Sequence, residues 1–469
     1  MLKQLLSFFT GKPEASCVPV RTEPRLTATV NMVPAVTPMK SIKSRAQIII
    51  PNEWRALQAD LEDVSSNYFI SGRAGTGKST LLRYIRKHSS KRVAMLAPTG
   101  LAALNVCGQT IHSFCHFRPH IIPAAVRQSE LYRQLDLILI DEISMVRCDL
   151  LDGLDIFLRL NGRDRNKPFG GVQVIICGDI FQLEPVVEPA DIPLLQHQGY
   201  QSFFFWGAKC YATANFQALE LDTCFRQHDS EFIELLGRIR INIPLDTDFD
   251  ILNSRLSVRQ DNLLTLCPTN NGADVINQAE LNKILDAPVH YYAQLSGVYK
   301  KIPQHKLADI MPCDLELVLK PGARVIFVKN DLHRRWVNGS LGIVTATARD
   351  NVIVKLESGI EHVVYRDKWE SYRHAYNKIT GTITHEKTGA INQLPLRLAW
   401  GLTIHKAQGM TLSNVHVDLC NGTFAHGQAY VALSRCPSIE GLSLSRKVWP
   451  NDIIVKSEAI EFYNTVRMS

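Results

Sequence analysis

Eight residues near the start of the folded chain have the types and spacing of a phosphate-binding loop. The segment Gly72-Arg-Ala-Gly-Thr-Gly-Lys-Ser79 fits the pattern G-x-x-x-x-G-K-[ST] without a mismatch. Glycines in such a loop let backbone N–H groups turn towards a triphosphate, the lysine bridges the β- and γ-phosphates, and the serine hydroxyl ligates Mg²⁺. We therefore predict a nucleotide site that uses Mg²⁺ and is formed by Gly72, Ala74, Gly75, Thr76, Gly77, Lys78, Ser79 and Thr80.

Three further polar residues follow apolar segments and could complete this chemistry. Asp141 and Glu142 end the apolar stretch Leu137-Ile-Leu-Ile140, and Gln182 comes after a second such stretch. An aspartate at the end of a strand beside a phosphate loop is the usual second anchor for Mg²⁺, and the glutamate would orient and deprotonate the attacking water. Gln182 is placed to sense the γ-phosphate. The alternative for the two carboxylates is a pair of solvated turn residues.

The elements that must position these residues alternate between strands and helices. The phosphate loop lies between a predicted strand, Tyr68–Ser71, and a predicted helix, Thr80–His88, and another strand is predicted at Arg92–Ala97. Strands that end in polar loops are expected where a site forms at the carboxyl edge of a parallel sheet. The second half of the chain repeats this pattern without a phosphate loop, so we predict an α/β fold of two such domains.

Composition and charge limit the other possibilities. A chain of 469 residues is too long for one core, and the sequence contains no run of eighteen apolar residues that would span a membrane. The eleven cysteines form no C-x-x-C pair, which argues against a zinc ribbon and a secreted disulfide framework. Residues 1–47 hold seven basic and two acidic residues, so they carry +5 of the net charge of +7. We interpret them as a flexible basic tail, either a nonspecific nucleic-acid tether or a solvated leader.

Seven motifs in a fixed order resemble those of the Pif/RecD-type helicases of superfamily one, and most closely the Pif branch. They are GRAGTGKST at 72–80, APTGLAALNVCGQTIHS at 97–113, DEISM at 141–145, PFGGVQVIICGDIFQLEPV at 168–186, FRQ at 225–227, LTIHKAQGMTL at 402–412 and GQAYVALSR at 427–435. The resemblance covers roughly residues 50–446. It implies an ATP-driven 5′→3′ DNA helicase that acts in replication, repair or recombination.

The resemblance also implies a domain plan. Two RecA-like P-loop NTPase domains would cover residues 48–217 and, as a discontinuous second domain, 218–342 and 389–469. Short β-rich segments with turns predict a small β-barrel inserted at 343–388. The loop at 116–133 corresponds to the region where relatives carry a strand-separating wedge, although a simple surface loop is the alternative.

Roles for further residues follow from matching motif positions. Arg226 and Arg435 look like the two arginines that reach the γ-phosphate from the second domain, where guanidinium groups stabilise the charge of the leaving phosphate. The residues that match the strand-contacting motifs would hold DNA phosphates without reading bases. They are Thr99, His112 and Ser113 in the first domain, and Thr403, His405, Lys406 and Gln408 in the second.

Two departures from the family pattern are visible. Relatives carry a glutamine near the position of Trp54 that recognises adenine, and the best candidate here, Gln58, is out of register, which puts strict preference for ATP in doubt. Relatives also tend to have a double proline after Gln182-Leu183, and Glu184 replaces the first of the two.

The expected partners are single-stranded DNA and forked or structured duplex DNA, with ATP and Mg²⁺ as cofactors. We expect a monomer that acts inside the cell wherever DNA is held, in a nucleoid, a nucleus or an organelle, and not at a membrane. A DNA-stimulated translocase with little unwinding is the alternative enzyme. A non-hydrolysing nucleic-acid-binding module and an ATPase that acts on protein are the alternatives from other classes.

Overall fold

The computed structural model describes residues 51–63, 66–117, 130–227, 229–257, 263–304, 307, 311–377, 380 and 382–468. The chain divides after Ile50 into two units, and the second unit contains every described residue. The expected basic tail at 1–47 and residues 118–129 of the expected wedge loop therefore lie outside the described residues. Within the described ranges, no helix is both long enough and apolar enough to cross a bilayer.

The first half of the described chain forms a six-stranded parallel sheet. Its strands are β1 (Asn67–Gly72), β2 (Val93–Ala97), β3 (Gln109–Thr110), β4 (Leu137–Ile140), β5 (Gln173–Cys177) and β6 (Phe216–Leu221), in the spatial order β3-β2-β4-β5-β1-β6. Strands β2, β4 and β5 are buried along their whole length, as expected for parallel strands covered by helices on both faces. The helices are α1 (Asn52–Asp63), α2 (Lys78–His88), α3 (Gly100–Asn105), α4 (Ile111–Phe114), α5 (Glu130–Gln134), α6 (Cys148–Asn161), α7 (Ile192–His197) and α8 (Lys209–Thr213).

The second half contains a four-stranded parallel sheet. Its spatial order is β18 (Gly401–Thr403), β7 (Leu264–Cys267), β19 (Val415–Val417) and β20 (Leu442–Leu444). The helices of this half are α9 (Ser230–Arg240), α10 (Asp246–Asn253), α11 (Asn270–Lys283), α12 (Gln428–Leu433) and α13 (Ser457–Met468). Two parallel α/β layers are therefore present, as the repeat of the strand and helix pattern predicts.

The expected β-barrel at 343–388 is not seen as a closed barrel among the described strands. A five-stranded antiparallel sheet runs in the order β14 (Glu361–Tyr365), β13 (Asn351–Leu356), β12 (Leu341–Thr347), β11 (Arg324–Phe327) and β17 (Leu396–Leu398). Its two edge strands, β14 and β17, do not pair with each other within the described chain. Strand β11, which we expected in the second RecA-like domain, pairs with β12 and β17 in this sheet. The sheet thus includes strands from both sides of 343–388. A β-rich sequence segment indicates that strands are present but does not reveal which strands pair.

The rest of the β-rich region is a long hairpin with its neighbours. Strands β15 (Asp367–Asn377) and β16 (Thr382–Gln393) pair antiparallel, and β9 (Gln294–Gly297) adds to β16. Strands β8 (Val289–Tyr292) and β10 (Glu316–Leu319) form a separate pair. The hairpin reaches the first sheet at His374, whose Nδ1 lies 2.7 Å from Gln109 Oε1. The N–H group of Met95 in β2 donates to His374 Nε2 over 3.2 Å.

The last helix also reaches the first sheet. Helix α13, which we expected within the second domain, places Ala459 and Tyr463 in the hydrophobic core that covers β1, β4 and β5. Phe462 stacks on Trp206, with ring centroids 4.5 Å apart. The predicted second domain therefore includes a helix, α13, that packs against the sheet of the first domain.

Candidate nucleotide-binding and DNA-binding sites

The phosphate loop is built by the turn between β1 and α2. Gly75 and Gly77 have φ values of 86° and 81°, which are left-handed conformations that favour glycine. A Cβ atom on Gly75 would lie 2.6 Å from Cβ of Arg226, so this position also needs glycine for close approach. Lys78 Nζ donates to the carbonyl oxygens of Gly72 and Arg73 over 2.8 and 2.9 Å. The loop therefore holds an ammonium group beside the free N–H groups of a helix N-terminus, an arrangement that suits an anion.

Asp141 and Glu142 stand beside this loop, at the end of β4. The Ser79 hydroxyl hydrogen-bonds to the Asp141 carboxylate, which is almost fully buried. Burial raises the pKa of Asp141, although the Ser79 bond opposes the rise. Burial and the neighbouring Asp141 charge raise the pKa of Glu142 to about 7. A hydroxyl and a carboxylate in contact are hard oxygen ligands, so the donors present fit Mg²⁺ held mainly by phosphate and water.

Two arginines from the second half of the chain face the same cleft. Arg226 donates from Nε to Thr411 Oγ1 over 3.1 Å and from Nη1 to the Ser434 carbonyl over 3.2 Å. Arg435 is 1% exposed and donates from Nε to the Val431 carbonyl over 2.8 Å. Burial and the nearby Arg226 charge lower the pKa of Arg435 to about 9. Neither guanidinium forms an ion pair with a described carboxylate, so both charges remain available to an anion in the cleft.

The cleft between the two parallel sheets collects most of the predicted ATP-site residues. Its lining consists of Ala74, Gly75, Gly77, Lys78, Ser79, Thr80, Arg83, Glu142, Gln182, Phe225, Arg226, Gly409, Thr411 and Arg435. Of the six predicted catalytic residues, five line this cleft directly. Asp141 lies behind it, in contact with Ser79. The cleft has a volume of about 340 Å³.

A buried polar network lies behind the loop, and the sequence motifs give it no role. Asp179 accepts a hydrogen bond from Arg240 Nε over 2.9 Å and from the Tyr430 hydroxyl over 3.2 Å. The Ala74 N–H of the phosphate loop donates to the same hydroxyl over 2.9 Å. Burial would raise the pKa of Asp179, but the charges of Arg240 and Lys78 and the hydrogen bonds to Asp179 together outweigh burial and lower that pKa. Asp179 and Tyr430 lie in two of the quoted motifs and Arg240 lies outside all of them, and the motif pattern does not predict that the three meet.

The predicted DNA-contacting residues of the first half follow β2 and β3. Thr99 caps α3 by accepting from the Ala102 N–H over 3.2 Å. His112 and Ser113 lie in α4, directly after β3. Burial and the Arg147 charge lower the pKa of His112. Phe117, at the start of the expected wedge loop, packs edge-on against Phe157 of α6 with ring centroids 6.1 Å apart, so it contributes to the core.

The predicted DNA-contacting residues of the second half lie at the end of β18 and in the turn that follows it. Thr403 is buried, and its Oγ1 accepts from the Lys406 N–H over 3.3 Å, whereas His405 is exposed. Gln408 differs from its neighbours because its side chain contacts two residues that line the nucleotide cleft. Its Nε2 lies 3.2 Å from Glu142 Oε2 and 3.2 Å from Gln182 Oε1. The amide nitrogen of Gln408 thus faces two residues of the nucleotide site, a placement that the expectation of a DNA contact does not include.

Comparison with known proteins agrees with this arrangement. A sequence profile of the PIF1-like helicase family matches residues 54–240. The human "ATP-dependent DNA helicase PIF1" is 33% identical over 479 residues, which cover 97% of this chain and 68% of the human protein. The "ATP-dependent DNA helicase Pif1" of Bdellovibrio bacteriovorus is 32% identical over 447 residues, which cover 92% of this chain and 94% of that protein. This chain spans about two thirds or less of the mammalian relatives it matches.

Solved structures of a third relative, Bacteroides Pif1, extend the similarity to the fold. The complex with ADP-AlF4 has a TM-score of 0.81 at 33% identity and covers 90% of this chain and 98% of that chain. The form bound to ssDNA has a TM-score of 0.63 at 32% identity with the same coverage. The mixed α/β sheets and this likeness show a RecA-like helicase fold. The chain belongs to the PIF1-like helicase family.

Proposed function

We propose that this protein is an ATP-dependent DNA helicase that moves 5′→3′ along single-stranded DNA and unwinds duplex or structured DNA. The observation that carries the proposal is the convergence of Lys78, Glu142, Gln182, Arg226 and Arg435 on one cleft between two parallel sheets. Cations and a carboxylate in one cleft suit phosphoryl transfer to water, and a cleft between two layers lets nucleotide control their approach. The relatives are named ATP-dependent DNA helicases, which supports the same activity.

The residues of the first half of the chain have separate roles in hydrolysis. Lys78 and the N–H groups of the loop hold the β- and γ-phosphates, and Ser79 and Asp141 would hold Mg²⁺. When bound, Mg²⁺ supplies charge neutralisation at the phosphate oxygens. Glu142 orients the attacking water and takes its proton.

The second half of the chain completes the chemistry. Arg226 and Arg435 stabilise the charge that develops as the γ-phosphate leaves, and Gln182 senses that phosphate. Because the two arginines come from the second parallel layer, hydrolysis requires the two layers to approach.

DNA contact is proposed at the carboxyl edges of the two sheets. Thr99, His112 and Ser113 on one side, and Thr403, His405 and Lys406 on the other, would bind the strand through its phosphates. Single-stranded and forked DNA are the proposed partners, since Bacteroides Pif1 has been solved bound to ssDNA. The protein would act in genome maintenance, inside the cell and on DNA. The domain boundaries 48–217 and 218–342 with 389–469 remain part of this proposal. Residues 343–388 are proposed as the centre of an inserted β-rich unit, to which β11 and β17 also contribute.

The test measures ATP hydrolysis with and without single-stranded DNA, and unwinding of duplexes that carry a 5′ or a 3′ single-stranded tail. We expect DNA-stimulated hydrolysis and unwinding from the 5′ tail only. Hydrolysis that DNA stimulates without any unwinding would favour the translocase. Hydrolysis that does not respond to DNA would contradict the assignment of the strand-contacting motifs.

Lys78→Ala tests the nucleotide site itself. We expect this variant to lose ATP hydrolysis by at least about a hundredfold because the phosphates lose their ammonium partner, while DNA binding stays largely intact. Lys87→Ala, at the exposed end of the same helix, is the matched control and should hydrolyse ATP as the unaltered protein does. Full turnover by Lys78→Ala would overturn the site assignment.

A further inference from the structure

The residues between β18 and the nucleotide cleft form one hydrogen-bonded turn. The Ala407 N–H donates to the Thr403 carbonyl over 3.0 Å, and the Gln408 N–H donates to the His405 carbonyl over 3.1 Å. The Lys406 N–H donates to the side chain of Thr403. Because these bonds tie each end of the turn to the other, a displacement at Thr403 or His405 moves Gln408 as well.

At the far end of the turn, the Gln408 amide joins two residues of the first sheet. Its Nε2 lies 3.2 Å from both Glu142 Oε2 and Gln182 Oε1. An amide nitrogen carries two hydrogens, so it can serve both acceptors at once. The nitrogen end of the amide faces Glu142, whose ionised carboxylate accepts this hydrogen bond. The bond occupies one carboxylate oxygen of Glu142 and leaves Oε1 to accept from the attacking water.

The residues that follow Gln408 contact a third group of the cleft. The Thr411 hydroxyl accepts from Arg226 Nε, and the Gly409 carbonyl lies 3.4 Å from Arg226 Nη2. Gly409 has a φ of 81°, so the chain reverses there in a left-handed conformation that favours glycine. Within four residues the loop therefore touches the water-orienting carboxylate, the predicted γ-phosphate sensor and one arginine.

We propose that Gln408 is a positioning residue. It fixes the side chains of Glu142 and Gln182 relative to each other and makes ATP hydrolysis depend on the turn at 403–408. This inference rests on the proposed function, in which the same turn contacts the DNA strand through Thr403, His405 and Lys406. It replaces the expectation that Gln408 itself contacts DNA. When bound DNA displaces the turn, the Gln408 amide shifts the position of the Glu142 carboxylate, although the DNA does not contact that carboxylate.

The primary test uses Gln408→Met, which keeps the length of the side chain and removes both donors. We expect kcat for ATP at saturating single-stranded DNA to fall about tenfold or more, and the ratio of DNA-stimulated to basal hydrolysis to fall with it. KM for ATP and Kd for single-stranded DNA should stay within about twofold of the unaltered protein, because neither ligand loses a contact. Gln196→Met, at an exposed position of α7, is the control and should change none of these values.

Two further measurements separate this role from packing or DNA contact. The double variant Gln182→Met with Gln408→Met should lower kcat by less than the product of the two single fold-reductions, because the two residues act as one unit. Strictly multiplicative effects would overturn the inference, as would a weaker Kd for DNA with kcat unchanged. Gln408→Glu keeps the size and polarity of the side chain and should also lower kcat. It replaces Gln408→Met in the test if the methionine variant does not fold.

The inference and the proposed function can fail separately. If the unaltered protein shows no DNA-stimulated hydrolysis, the proposed function fails. If the unaltered protein is stimulated and Gln408→Met is stimulated to the same degree with the same kcat, the inference alone fails.

Discussion

At the scale of single residues, the side of the cleft near Trp54 is where the resemblance to the family places recognition of the base. Gln58 is not among the residues that line the cleft, and its amide donates to Glu62 over 2.9 Å. The Trp54 ring packs against Gly77, where an added Cβ would lie 3.2 Å from it. Phe225 lines the cleft, is 48% exposed and meets Trp54 edge-on. An aromatic face stacks on any base, whereas recognition of adenine requires hydrogen bonds to the edge of the base.

We therefore predict weak selectivity for the base. The kcat/KM for GTP should lie within about tenfold of that for ATP, since stacking without edge contacts discriminates poorly. Phe225→Ala should raise KM for both nucleotides by a similar factor, and Phe424→Ala, at an exposed aromatic outside the cleft lining, is the control. Steady-state hydrolysis with each nucleotide measures this. A preference for ATP above about a hundredfold would show that another group reads the base.

The contrast between the arginines and Gln408 shows what a sequence can reveal at this scale. Lys78, Ser79 and the carboxylates after β4 have their roles set by neighbours in the chain, so a local pattern predicts where they lie. The roles of Arg226 and Arg435 could be predicted only from the order of motifs along the whole chain. The direction of the Gln408 side chain depends on how two sheets pack, and no pattern in 402–412 encodes it. The site roles themselves remain predictions that the variants above test.

At the scale of elements, Asp136 connects the starts of two strands with the segment that follows α6. Its carboxylate, placed just before β4, accepts from Arg92 Nε over 2.6 Å and also pairs with Arg163. Burial would raise the pKa of Asp136, but the hydrogen bonds from Arg92 and Arg163 outweigh it and lower the pKa to about 2. A carboxyl whose pKa is lowered by folding stabilises the fold above its unfolded pKa of roughly 4, and that contribution is lost as the pH falls towards 2.

We predict that Asp136→Asn lowers the free energy of unfolding by roughly 1–2 kcal/mol at pH 7, where the native carboxylate is charged. The difference between the variant and the unaltered protein should shrink as the pH falls from about 4 towards 2, and urea unfolding at several pH values measures it. Asp164→Asn removes a more exposed carboxylate 3.8 Å from Lys167 and should change stability by less than about 0.5 kcal/mol. A difference independent of pH would mean that the ion pairs of Asp136 do not stabilise the fold.

Long-range pairing explains why the β-rich region was the weakest sequence prediction. Strand β12 finds its partner β11 across residues 328–340, and β17 joins β11 from the other side of the hairpin. Alternating apolar residues indicate that strands exist, but they do not say which strands pair. The same limitation explains α13, because its apolar residues do not reveal their partners, and Phe462 packs on Phe205 and Trp206 beside the first sheet.

At the scale of the whole molecule, the distribution of charge separates two possible origins of DNA affinity. Residues 1–47 carry +5 of the net charge of +7, so residues 48–469 hold only +2. Several of the predicted contacts are neutral, among them Thr99, Ser113 and Thr403, and neutral groups bind phosphates without releasing counterions. A salt-dependent affinity must therefore come from individual cations of residues 48–469 such as Lys406, from the basic segment, or from both.

We predict that log Kd for single-stranded DNA rises steeply with log salt in the full chain, and that removal of residues 1–47 reduces the slope. Each phosphate–cation contact on a single strand contributes about 0.7 to the slope, so a segment that engages all five excess charges would account for about 3.5 of it. Replacing the seven basic residues of this segment by glutamine in the full-length chain is the matched control, because it changes charge and keeps length. Equal slopes for all three proteins would identify the segment as a solvated leader and assign the salt dependence to residues 48–469. A flat response in the full chain would contradict binding of DNA phosphates by cations at either place.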